Sequence, residues 1–210
     1  MKKILILILG FPFILYCCKD PEPIHHEPNS ELKEWGVFQK GTWWVYQEEN
    51  TKAIDSIWVD SVTTSEFQLD KKKSPYIFEK GYSTYLSSIF KNETMVYAIN
   101  SMTNHLKFIK IGNNGQEFSE RCYLLEIPFK KGLTAGYGPS WVWAEIDTIY
   151  DSIKLGNRYF KNVPRVYDNG NPAFNLDTTY FYTARNLGII RKEFPDNNEV
   201  WNLIRFKIVQ

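Results

Sequence analysis

Glu145, Asp147 and Asp151 fall at odd-numbered positions within the stretch 141–153, with Trp141 and Trp143 just ahead of them. In an extended strand, residues two apart point to the same side, so alternation places the three carboxylates on one face. Paired carboxylates beside aromatic rings are what a glycosidase or a sugar-binding cleft requires, and they make Trp141 and Trp143 the first glycan-binding candidates. Solvated charges opposite Val142, Ala144, Ile146 and Tyr150 explain the same carboxylates equally well.

Other reactive groups are sparse. The Gly-x-Ser-x-Gly nucleophile elbow does not occur, and Gly136-Tyr137-Gly138-Pro139-Ser140 reads as a loop leading into the Trp141 strand. His105, the one His outside the N-terminal pair, lies beside Leu106 and Phe108 and reads as a strand residue rather than a general base. Cys122 follows Arg121, as an activated thiol would, yet Cys122-Tyr123-Leu124-Leu125 is an apolar stretch that suits a buried, inert Cys. His25-His26 stand in a Pro-rich segment, a poor frame for a metal. Asp168-Asn169-Gly170 is turn chemistry, without the Asp-x-Asp-x-Asp-Gly run of a calcium loop. The sequence therefore nominates no catalytic residue, no metal site and no cofactor.

The elements around these residues begin with an address. Met1-Lys2-Lys3 precedes an apolar run from Ile4 to Leu15, the pattern of a secretory signal. That run is shorter than the roughly 20 residues a membrane-spanning helix needs, and Pro12 interrupts it. Leu15-Tyr16-Cys17-Cys18 resembles a bacterial lipoprotein signal with Cys18 as the lipidated residue. Several acyl chains on one Cys give stable anchoring. The expected organisation is a signal peptide over 1–17, lipidated Cys18 with a flexible tether over 18–34, and an antiparallel β domain over 35–210. Cleavage before Cys18 leaves 193 residues with 23 basic and 24 acidic side chains, so the mature net charge is −1. Without a basic stripe beyond Lys71-Lys72-Lys73, nucleic acid is not an expected partner. The 14 Phe, 13 Tyr and 7 Trp exclude a chain that is disordered throughout.

From Trp35 onward, β-rich runs alternate with turn signals. Strands are predicted over 42–49, 54–63, 76–80, 82–90, 94–100, 105–111, 118–127, 141–153, 158–167, 178–184, 187–194 and 199–208. One helical turn is expected near Ser30 to Trp35. Strands in succession with no helices between them imply an all-β fold, an antiparallel sandwich or a curved sheet closing towards a half-barrel. An internal echo joins Trp43-Trp44-Val45-Tyr46 and Ile54-Asp55-Ser56-Ile57 to Trp141-Val142-Trp143 and Ile146-Asp147-Thr148-Ile149. It fits either a duplicated hairpin or two unrelated strands with similar packing needs.

Three phrases carry a resemblance. Gly41-Thr42-Trp43-Trp44-Val45-Tyr46, Gly156-Asn157-Arg158-Tyr159-Phe160-Lys161-Asn162-Val163 and the closing Tyr180-Phe181-Tyr182 with Leu187-Gly188-Ile189-Ile190-Arg191 follow one another in order. Together they resemble an uncharacterised family of secreted and outer-membrane lipoproteins of Bacteroidota. Lys19-Asp20-Pro21-Glu22 is similar to the surface-export signal of such proteins. The resemblance implies an all-β domain lipid-anchored in the outer membrane and exposed at the cell surface, and it supplies no catalytic residues.

Asp-Ser/Thr followed by a small or aliphatic residue or Thr resembles the O-glycosylation acceptor of Bacteroidota exported proteins. It occurs at Asp55-Ser56-Ile57, Asp60-Ser61-Val62, Asp147-Thr148-Ile149, Asp151-Ser152-Ile153 and Asp177-Thr178-Thr179. Composition alone gives about 0.3 occurrences, so Ser56, Ser61, Thr148, Ser152 and Thr178 become candidate acceptors. Four of the five lie in the echoed strands and are not independent. The leading functional expectation is a non-enzymatic binding or structural accessory of the envelope, attached to the membrane by its lipid. A glycan-binding module or hydrolase accessory, with a glycan or envelope protein as partner, is the alternative. A carrier of an apolar ligand is the third.

Overall fold

The computed structural model describes residues 21–69, 75–88, 94–101, 103–111, 119–132, 134–136, 143–169 and 178–209. It is mostly β, as the alternation predicts. In chain order the elements are β1 (Ile24–His26), α1 (Ser30–Gly36), β2 (Trp43–Glu48), β3 (Ile54–Gln68), β4 (Ile77–Ser88), β5 (Thr94–Asn100), β6 (Thr103–Ile111) and β7 (Ser119–Glu126). There follow β8 (Thr134–Gly136), β9 (Trp143–Leu155), β10 (Arg158–Asp168), β11 (Thr179–Ala184), β12 (Gly188–Phe194) and β13 (Glu199–Lys207).

All of these strands belong to one sheet, ordered β7-β6-β5-β4-β3-β2-β13-β12-β11-β10-β9-β8. Two meanders, β2 to β7 and β8 to β13, are joined where β13 pairs antiparallel with β2. The sheet is not closed. It curls until β7 comes within 8 Å, Cα to Cα, of β8 and β9. Among the described residues β1 is the one parallel strand, with Ile24, His25 and His26 opposite Ile77, Phe78 and Glu79.

Residues 24–36 correct the extended-tether reading. Apolar pairing and side-chain contacts fix this stretch to the sheet despite its Pro residues and charges. His25 stacks on Phe78 at 5.1 Å, and the His26 Nδ1 lies 2.8 Å from the buried Glu79 carboxylate. The Asn29 side chain accepts from the Glu31 N–H at 2.9 Å, starting α1. That short helix buries Leu32, Trp35 and Gly36. Burying Leu32 contributes about 1.5–3 kcal/mol, and buried Trp35 adds to it.

Two finer expectations also change. The predicted strands 76–80 and 82–90 form the single strand β4, in which Gly81 pairs with Ser65 on one side and Asn100 on the other. A lone Gly read as a divider is here a ladder residue. The internal echo is not a duplicated hairpin: its first copy spans β2, a turn and β3, whereas Trp143 to Ile153 of the second run in the single strand β9. Five residues separate β2 from β3, with Lys52 in the left-handed region, and the second copy has no room for such a turn.

The core lies on the face that carries Trp44, Tyr46, Ile57, Val59, Leu86, Tyr97, Ile190 and Leu203. Phe38, fully buried, meets Trp44 edge-on at 5.1 Å and Tyr97 at 5.8 Å. The Trp44 indole donates to the Leu187 carbonyl and the Tyr46 hydroxyl to the Ile189 carbonyl, both at 2.7 Å. These bonds let large polar-tipped rings fill the interior at little cost.

Candidate functional site

The carboxylates of β9 do not converge. A bulge between Arg165 and Val166 breaks the register, so Arg165 faces Thr148 while Val166 faces Ile146. Asp147, at the bulge, is held by the Arg165 guanidinium, whose Nε lies 2.9 and 3.0 Å from its two oxygens. Arg165 also sits 4.8 Å from the centre of the Tyr180 ring and 5.9 Å from that of Tyr182. Its pKa rises further, chiefly through the Asp147 hydrogen bonds. Glu145 lies opposite Tyr167, and Asp151 is exposed.

The remaining candidates scatter. Cys18 and Trp141 lie outside the described residues, as do residues 137–142 of the Ser140 loop. Trp143 pairs through its backbone with Gly136, Cys122 with Ile109, and His105 with Glu126. Ser56 faces Val45 and is half-buried; Ser61 faces Tyr85 and is exposed. Thr148 is half-buried beside Arg165, and Ser152 is exposed opposite Lys161. Thr178 precedes β11 and is half-buried, its N–H donating to Asp196 at 2.9 Å. Three of the preceding Asp residues have structural partners: Asp147 is held by Arg165, Ser88 donates to the buried Asp55 at 2.7 Å, and the Trp58 indole donates to Asp60 at 2.7 Å. Among the described residues no group of three His, Cys, Asp or Glu side chains is arranged to hold a metal.

Sequence reasoning missed a different indole pair. Trp43 on β2 stands directly opposite Trp58 on β3, and the two are 36% and 37% exposed. Trp35, Trp44 and Trp201 are buried. Direct cross-strand partners share a face at a Cβ separation of about 5 Å, so the two indoles stand on the same outward face. Lys207 extends the row beyond Trp43, and Ser87 extends it beyond Trp58. Asp60 fixes the Trp58 ring through its Nε1 and also takes the Ser87 hydroxyl. The signal was present: if Trp44 and Tyr46 face the core, Trp43 must face out, and the β2–β3 turn sets it against Trp58.

A second feature is a polar cleft of about 500 Å³. Its walls are Glu49 and Lys52 of the β2–β3 turn and residues 154–158 around the β9–β10 turn, and its lining also includes Gln47, Arg191 and Asn202. It forms where the sheet splits. The β12–β13 ladder runs only from Phe194 opposite Glu199 to Arg191 opposite Asn202, while β13 continues along β2 as far as Lys207. The Arg158 guanidinium there lies 4.6 Å over the Phe206 ring. Both cleft carboxylates are already engaged. Glu48 accepts from the Asn50 N–H at 2.8 Å and from the Thr51 N–H and hydroxyl. These bonds, the Thr51 N–H foremost, hold its carboxyl below the usual range. Glu49 takes Arg191 at 3.2 Å and the Asn202 amide at 2.6 Å.

No family model, no curated protein and no solved structure matches the chain.

Proposed function

We propose that the mature chain is a non-enzymatic envelope accessory, anchored in the outer membrane through Cys18, that binds a glycan on its exposed sheet surface. The observation that carries this reading is the Trp43–Trp58 pair. Two neighbouring exposed indoles on one face of the β2–β3 hairpin offer apolar surface to the C–H face of a pyranose ring, while Asp60, Ser87 and Lys207 border it with hydrogen-bonding groups. An apolar cargo finds less support. Among the described residues, the space between Trp44, Tyr46, Ile57, Leu86, Met95, Tyr97, Ile189 and Lys192 amounts to about 10 Å³, room for about one water molecule.

The test is titration of the full chain in detergent micelles with neutral oligosaccharides, followed by tryptophan fluorescence. Saturable binding that weakens at least tenfold in Trp43→Ala/Trp58→Ala, with an unchanged unfolding midpoint, is expected. Binding that survives the double substitution, or no binding across a panel of bacterial and host glycans, sinks the proposal. The anchor has its own check, since incorporation of labelled palmitate should disappear in Cys18→Ala.

A further inference from the structure

We infer that the cleft between the β2–β3 and β9–β10 turns is a binding site for a carboxylated sugar, a uronate residue of an acidic saccharide. The sugar character of this ligand rests on the glycan reading above; its charge follows from the cleft alone. Four cations line the cleft, Lys52, Lys154, Arg158 and Arg191, against the two carboxylates of Glu48 and Glu49. Those carboxylates are saturated by the turn N–H groups, Arg191 and Asn202. Among the described residues Lys52, Lys154 and Arg158 have no carboxylate partner. Lys52 donates only to the Glu49 carbonyl, at 2.6 Å, Lys154 lies 5.5 Å over the Tyr159 ring, and Arg158 lies over Phe206.

Like charges gathered at a concave surface repel one another and focus a positive potential into it. Such an arrangement is stabilised by an anion. The planar Arg158 fork suits a carboxylate, which it can bind through two parallel hydrogen bonds. Around it, the amides of Gln47 and Asn157 supply the mixed donors and acceptors that sugar hydroxyls require. Tyr159, 68% exposed on β10, lies outside the lining and touches the cleft through Lys154, whose Nζ is 5.5 Å from its ring centre. A volume of about 500 Å³ admits one or two pyranose units. Gln47 is four residues from Trp43 on the same side of β2, so the two surfaces are about 13 Å apart and one oligosaccharide can reach both.

The experiment follows the backbone amides of Gly156 and Asn157 by NMR in the full chain in micelles, on addition of free glucuronate, glucose or inorganic phosphate. Glucuronate should shift both amides, with glucose and phosphate at least tenfold weaker. Lys154→Gln/Arg158→Gln should weaken glucuronate binding at least tenfold, while Arg158→Lys keeps the charge and restores part of it. Raising salt from 20 to 200 mM should weaken binding severalfold. Phosphate binding as tightly as glucuronate, equal shifts with glucose, or indifference to the double substitution would each overturn the assignment. Trp43→Ala/Trp58→Ala separates the two proposals. Glucuronate binding to the parent, with neutral oligosaccharides that do not bind or bind equally well without the indoles, leaves the cleft standing and removes the indole-platform reading; neutral oligosaccharide binding that is lost in Trp43→Ala/Trp58→Ala, with no glucuronate binding to the parent, does the reverse.

Discussion

Arg165 on β10 grips Asp147 with two nitrogens at a bulge of β9, and its guanidinium plane lies among Tyr150, Tyr180 and Tyr182. One of the three carboxylates that suggested a sugar-cleaving site is thereby a structural acceptor. Its partner continues a polar row across the sheet, because Arg165 pairs with Tyr182, Tyr182 with Arg191, and Arg191 with Asn202. The Tyr182 hydroxyl donates to Glu193 at 3.0 Å, and Arg191 donates to the same oxygen at 2.6 Å. Asp147→Ala strands a half-buried guanidinium and should cost about 1–3 kcal/mol. Asp151→Ala, four residues along and exposed, should stay within about 0.5 kcal/mol of the parent. Urea unfolding of both variants decides it, and equal effects would remove Asp147 from the framework.

Gly36, the last residue of α1, is a second fixed point. A Cβ built there would lie 2.2 Å from Leu106 Cδ1, and Leu106 is itself buried. Gly36→Ala should therefore destabilise by about 1–3 kcal/mol through overpacking. Leu106→Val in the same chain should recover a good part of that loss. A double-mutant cycle in urea measures the coupling, and additive effects would mean that the helix moves away instead.

The strands were legible because alternation of apolar and polar residues is a local property, and β2, β5 and β13 lie within a residue or two of where it puts them. What escaped depends on partners distant in sequence. Ile24-His25-His26 has no strand pattern of its own and becomes β1 only against Ile77–Glu79. Gly81 reads as a break until Ser65 and Asn100 flank it. The candidate site shows the same division. Trp141 and Trp143 drew attention through neighbouring carboxylates, whereas Trp43 and Trp58 become a surface only when hairpin register is known. The cleft is less legible still, since Lys52, Arg158 and Arg191 come from three separate segments meeting at a split in the ladder.

Acid should reveal the anchoring of the segment before α1. Glu27 accepts from Lys33 at 2.8 Å, Lys80 at 2.6 Å and the Tyr82 hydroxyl at 2.9 Å. Lys33 and Lys80 together hold its carboxyl down at about 2. A carboxyl depressed in the folded state stabilises fully above its unfolded pKa, near 4.5. That contribution is lost as pH falls through the interval down to about 2. Glu27 is solvent-accessible, so screening limits the effect to under about 1 kcal/mol. The stability gap between the parent and Glu27→Gln should thus be present at pH 6, shrink below pH 4.5 and be smaller in 0.5 M salt. A gap independent of pH from 6 to 2 would assign the effect to packing.

Accessibility ranks the five glycosylation candidates. A transferase must reach the hydroxyl and the backbone beside it, and exposed Ser61 and Ser152 meet that need better than half-buried Ser56, Thr148 and Thr178. Ser61 sits just past a bulge between Val59 and Ser61 that loosens the β3–β4 ladder, which further favours access. Intact-mass measurement of the protein from its native host should show added hexose-type mass beyond the lipid, with Ser61→Ala/Ser152→Ala removing most of it. Mass retained in that double variant but lost in Ser56→Ala/Thr148→Ala would mean the chain is modified before the sheet forms. Lipid mass alone would leave the recurring Asp-Ser/Thr pairs to their structural partners, as Asp55 with Ser88 and Asp60 with Trp58 already illustrate.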